Sequence, residues 1–104
     1  MGGESGEHEA VLAARARVPE HVVARGFGGE SVALNLRSGK YHGLNEVAAH
    51  MLDRVRESPT VGAAVEPLAS EFGQPREVIE RDLVALVRGL AERGLVELDA
   101  ATGD

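Results

Sequence analysis

The chain has no cysteine and no tryptophan, and its aromatic residues are Phe27, Tyr41 and Phe72 alone. Without thiols there is no disulfide framework, no zinc finger, no thiol nucleophile and no iron–sulfur site, and the composition suits a reducing compartment. No apolar run exceeds five residues, as in Leu83–Val87, against the ~20 needed to cross a bilayer. Glu4, Glu7, His8 and Glu9 stand where a secretory leader would carry a basic and then an apolar stretch, so a cytoplasmic protein with no membrane segment is expected. A basic surplus is missing too. The 104 residues hold 11 Lys and Arg against 17 Asp and Glu, a formal charge of −6, which disfavours nucleic acid and anionic lipid as partners.

What is present fits one small α+β domain. Residues 1–17 begin Gly- and Glu-rich, and the run Ala10–Ala16 is too short to hold a helix alone in water. They read as a flexible N-terminal tail, and 99–104 as a C-terminal one. Between them, 18–98 opens with strands. Val22 and Val23 precede Gly26-Phe27-Gly28-Gly29, a loop in place of a phosphate cradle, because Ser31 stands where a third glycine is needed. Ser31–Leu36 alternates with Val32, Leu34 and Leu36 on one face. Ser38-Gly39 suits a two-residue turn closed by Arg37 and Lys40, leading into Lys40–Leu44 as the third strand of an antiparallel meander.

After Leu44 the period lengthens to that of a helix. Asn45 can cap a first helix whose apolar stripe is Val47, Ala48, Met51, Leu52 and Val55. Thr60 starts a second, with Val61, Ala64, Val65, Leu68 and Phe72, which Pro67 should kink or split. Gly73 and Pro75 separate it from a third, running to about Arg93 on Ile79, Leu83, Leu86, Val87 and Leu90. Leu95–Leu98 could add a short strand. A three-stranded antiparallel sheet packed on three helices, the last two joined by a short turn, is a winged helix-turn-helix arrangement.

Enzyme chemistry finds little to stand on. His8, His21, His42 and His50 lack metal-ligand spacing, and no nucleophile, base and orienter set is visible, so neither a metal nor an organic cofactor is expected. His42 and His50 as a metal-carrying pair is the weakest alternative. A winged-helix DNA-binding regulator is the stronger one. Against it, the third helix offsets Arg76, Arg81, Arg88 and Arg93 with Glu77, Glu80, Asp82 and Glu92, whereas helices that read DNA carry a basic footprint.

Peptide capture at the sheet edge fits better. The third strand of a meander leaves alternate backbone groups unpaired, which invites a further strand, from a guest or from a second copy in a homodimer. If Lys40, His42 and Leu44 bond inward, Tyr41 and Gly43 direct their N–H and C=O outward, and Gly43 offers no side chain to obstruct a guest. On the third helix, Val78, Asp82, Ala85 and Gly89 form a flank of mostly short side chains, with Arg81 and Arg88 on its rim to meet acidic residues.

The ordered combination of Gly39-Lys40-Tyr41-His42-Gly43-Leu44-Asn45, a Val-Ala-Ala helix, then Val78, Asp82, Leu83, Leu86, Leu90 and Gly94-Leu95-Val96 resembles the pyrroloquinoline quinone biosynthesis protein D family, across about 18–98. That family includes the leader-peptide recognition elements of ribosomally made, post-translationally modified peptides. The resemblance implies a non-catalytic protein whose partner is a precursor leader peptide, added as a strand to the third strand and lying in the groove against the third helix. It places Lys40, Tyr41, His42, Gly43 and Leu44 on the edge side, and Val78, Arg81, Asp82, Ala85 and Arg88 on the helix side. It further implies a separate processing enzyme, similar to the cysteine-protease-like leader peptidase of lasso-peptide systems.

Overall fold

The computed structural model describes residues 3–27 and 30–100. In chain order the elements are α1 (Gly3–Ala13), β1 (Ala14–Arg17), β2 (Val22–Phe27), β3 (Glu30–Asn35), β4 (Tyr41–Leu44), α2 (Glu46–Glu57), α3 (Val65–Phe72), α4 (Arg76–Glu92) and β5 (Glu97–Ala100), with a 3-10 turn at Gly62–Ala64 before α3. Strands β2, β3 and β4 form an antiparallel sheet in that order, and β1 pairs with β5 in a separate two-stranded one. The fold is α+β, as the alternation followed by helical periodicity implied.

The helices follow from their caps and stripes. Asn45 Oδ1 accepts the Ala48 N–H at 2.8 Å and starts α2, satisfying one of the amides that an opening turn leaves without a partner. Its buried side chains are Met51, Leu52 and Val55. The second helical stretch is split, but upstream of the expected point. The 3-10 turn gives way to α3 at Val65, so Pro67 falls in the first turn, where its missing N–H has no bond to lose. Helix α4 buries Ile79, Leu83, Val84, Val87 and Leu90, and Leu68, Leu83, Leu90 and Leu95 are the largest fully enclosed side chains of the shared core.

Three expectations are corrected. First, residues 3–17 are an ordered part of the fold. Val11 joins the core, Leu12 packs against it, and Ala14 and Ala16 are buried while Arg15 and Arg17 point out. A segment too short to be helical alone is held by its tertiary partners, here α4 and the 3-10 turn, and β1 by register with β5 from Ala14↔Ala100 to Arg17↔Glu97. Arg17 completes that pairing through Glu97 and Asp99. The C-terminal strand therefore extends into the stretch read as a tail, to Ala100, leaving 101–104, like residues 1, 2, 28 and 29, outside the described residues.

Second, the β3–β4 hairpin is wider than a two-residue turn. Asn35 N–H donates to Lys40 O at 2.8 Å and Gly39 N–H to Asn35 O at 2.8 Å, so Arg37 and Lys40 are not the closing pair. The Asn35 side chain fills the loop, accepting from the Arg37 and Ser38 amides and donating to Gly94 O. A local side-chain bond of this kind replaces the ladder a tighter turn would have kept.

Third, the faces of β3 are exchanged. Ala33 (2% exposed) and Asn35 (6%) face the core, and Leu36 is 60% exposed. Val32, Leu34 and Tyr41 share the outer face of the sheet with Val23. The inward row of small and polar residues lets the sheet approach the helices closely, with Leu44 and Val22 filling the remaining space.

Candidate functional site

Strand β4 is an edge of its sheet, and its register decides what that edge offers. The pairs are Leu34↔Tyr41, Ala33↔His42, Val32↔Gly43 and Ser31↔Leu44. Because Asn35 and Lys40 are joined by a hydrogen bond, alternation along an antiparallel ladder assigns the following inward bonds to His42 and Leu44. Tyr41 and Gly43 then present N–H and C=O to the outside. Gly43 is exposed, and a Cβ built on it meets nothing within 4 Å. The expected alternation over 40–44 is therefore realised despite the wider turn.

Side chains of β4 divide between the faces. Leu44 is buried, His42 half-buried and Tyr41 66% exposed. Burial and the Arg93 guanidinium together hold the His42 imidazole below its ordinary value of 6.5, since both disfavour a second positive charge there. Arg93 folds back along α4, donating to Gly89 O at 3.2 Å.

At 100° per residue, Val78, Asp82, Ala85 and Gly89 fall on one stripe of α4, Arg81 and Arg88 lie roughly a quarter turn away, and Glu80 and Val84 take the opposite side. The stripe borders a cavity of about 380 Å³ lined by Val47 and Met51 of α2, Phe72 and Gln74 of the α3–α4 corner, and Val78, Ile79 and Asp82 of α4. Of the residues singled out on the helix, Val78 and Asp82 are thus brought to a cavity wall. Ala85 is exposed on the same stripe. Arg81 is exposed, its Nε 3.9 Å from Asp82 Oδ1, and Arg88 is exposed as well.

Sequence reasoning missed Val47, Met51, Phe72 and Gln74 as parts of this wall. Val47 and Met51 belong to the apolar stripe of α2, yet Val47 is left 49% exposed. Its position next to the strand end was the available signal. Phe72 is steadied from behind: its ring packs edge-on against His50 at 5.6 Å between centroids, and His50 Nε2 lies 2.5 Å from Glu71 Oε1. Arg54 also binds the Glu71 carboxylate. The hydrogen bonds from Arg54 first, then His50, hold that carboxyl below the usual range for a glutamate. Helices α2 and α3 are tied together by this clasp, next in sequence to the cavity residue Phe72.

With this geometry in place, comparison with known proteins identifies the class. The profile described as coenzyme PQQ synthesis protein D (PqqD) matches residues 30–96, and the chain belongs to that family. The matched segment holds β3, β4 and all of α2 to α4. A curated relative, the PqqA binding protein of Gluconobacter oxydans (strain 621H), is 39% identical over 49 residues, 47% of this chain and 51% of its own. The match thus spans about half the length of that relative. Two solved structures share the fold over most of their length. TbiB1 in complex with the TbiA(β) leader peptide has a TM-score of 0.67 at 30% identity, covering 78% of this chain and 94% of TbiB1. A lasso peptide synthetase B1 complexed with the leader peptide has a TM-score of 0.70 at 32% identity, covering 81% and 99%.

Proposed function

We propose that the chain is a non-catalytic, cytoplasmic leader-peptide-binding protein. It receives the leader of a ribosomally made precursor as an added strand on β4 and delivers it to a separate processing enzyme, such as a cysteine-protease-like leader peptidase or a cyclase. The observation that carries this reading is the edge of β4, unpaired among the described residues, with Tyr41 and Gly43 directed outward, together with an apolar-walled cavity between α2 and α4. Main-chain bonds to the edge supply affinity and the cavity supplies selection among side chains. The relatives support it, since each is described by the peptide it binds. Lys40, Tyr41, His42, Gly43 and Leu44 form the edge side, and Val78, Arg81, Asp82, Ala85 and Arg88 the helix side. Binding raises the concentration of substrate at the enzyme without new chemistry.

Helices α2, α3 and α4 with the β-hairpin take, in this reading, the winged helix-turn-helix arrangement, used for a peptide in place of DNA. The three arginines of α4 against its four carboxylates, a net charge of −1, support a peptide over DNA as the guest. The test is capture of peptides from a displayed random library by the full chain and by Gly43→Pro. The substitution deletes an outward donor and places a ring on the edge, while an edge strand tolerates proline where the N–H faces solvent. Loss of capture with an unchanged circular dichroism spectrum is expected. Equal capture by both proteins contradicts edge addition.

A further inference from the structure

The stripe of α4 that borders the cavity has a different charge toward each end. Asp82 stands in the second turn of α4, lining the cavity with Val78 and with Val47 at the start of α2. At the other end Arg93 folds back over Gly89 on the same stripe. That end is joined to the start of β4 by the Asn35 amide on Gly94 O at 3.2 Å, and Lys40 opens the strand there. Arg81 approaches Asp82 only to 3.9 Å between exposed side chains, a contact too weak to cancel the carboxylate.

We propose that this pair of ends sets the direction and charge order of the guest strand. The claim rests on edge addition at β4 and names the substrate class that such an edge selects. Eleven residues of helix at 1.5 Å each separate Asp82 from Arg93 by about 16 Å. An extended guest rises ~3.3 Å per residue and turns every second side chain toward α4, so the two ends are reached by guest positions roughly four to six apart. Antiparallel pairing, the more frequent arrangement, runs the guest from the Leu44 end to the Tyr41 end. The fitting guest therefore carries a basic residue first and an acidic residue about four to six positions later, with an apolar side chain two positions from the basic one for the cavity.

The experiment reads charge order in peptides captured from the same random library. For the native chain, the basic-then-acidic order is expected to exceed the reverse by roughly tenfold at low salt, the scale of two exposed ion pairs made instead of two repulsions, and to shrink as salt rises. The double substitution Asp82→Lys with Arg93→Glu should invert the order. Asp82→Asn with Arg93→Gln, which keeps size and polarity, should erase it. An order unchanged in all three proteins, with capture still abolished by Gly43→Pro, overturns the charge assignment and leaves edge addition standing. No enrichment by the native chain, or capture indifferent to Gly43→Pro, overturns both.

Discussion

At the residue scale, two glycines of this chain have opposite meanings. Gly94 is required by its surroundings: it has φ of +71°, and a Cβ there would lie 2.9 Å from Asn35 Nδ2. Gly94→Ala should cost about 1–3 kcal/mol, from left-handed strain and the displaced amide together, and urea denaturation measures it. Gly43 has open space where a Cβ would sit, so Gly43→Ala should leave the unfolding free energy within about 0.5 kcal/mol of native. The residue then belongs to the edge and not to the packing. His42 gives a pH test. Its folded-state value lies below 6.5, so the unfolded chain binds the extra proton first and stability falls as pH drops through about 6.5. His42→Gln should flatten that part of a stability-against-pH curve, with no change above neutrality.

At the scale of elements, legibility depended on what held each one. Helix α2 was readable because its cap Asn45 directly precedes the stripe Val47–Val55, and α4 because its stripe runs between Pro75 and the left-handed Gly94. The stretch 3–17 was not, because its order comes from α4 and β5, far away in sequence. The alternation Ala14-Arg15-Ala16-Arg17 was the one local trace, and alanine is a weak hydrophobic marker. Strand β3 misled for the opposite reason. Its larger side chains, Val32 and Leu34, lie on the outer face, since Asn35 is drawn inward by the loop it organises and by Gly94. Substitutions separate the two readings. Leu36→Ser should alter stability by no more than about 0.5 kcal/mol. Val11→Ser, which places a hydroxyl where the core has no partner for it, should cost about 1–3 kcal/mol. A tail would show no loss at Val11, and a core-facing Leu36 would show a large one.

At the scale of the whole molecule, the two sides of the candidate site lie on different supports. The edge is carried by a sheet whose inner face is small and whose hairpin is fastened to the end of α4. The cavity wall is carried by helices clasped through His50, Arg54 and Glu71. The alternation along β4 came out as expected although the turn assumed for it did not, because Lys40 bonds toward β3 in either hairpin. The opposing wall was not legible in the sequence, since Val47, Met51, Phe72 and Val78 meet only once three helices pack. Phe72→Ala should therefore weaken capture of peptides with a large apolar side chain by about tenfold, the scale of ~1–3 kcal/mol per lost methylene-sized contact set, while peptides with small side chains lose little.

Whether a peptide bonds to the backbone of β4 is read directly by amide hydrogen exchange. In the free chain the His42 and Leu44 amides, bonded to β3, should exchange slowly, and those of Tyr41 and Gly43 rapidly. Adding a captured peptide should slow Tyr41 and Gly43 into the range of their neighbours. A peptide that binds with these two amides still exchanging at their free rate would contradict strand addition at this edge.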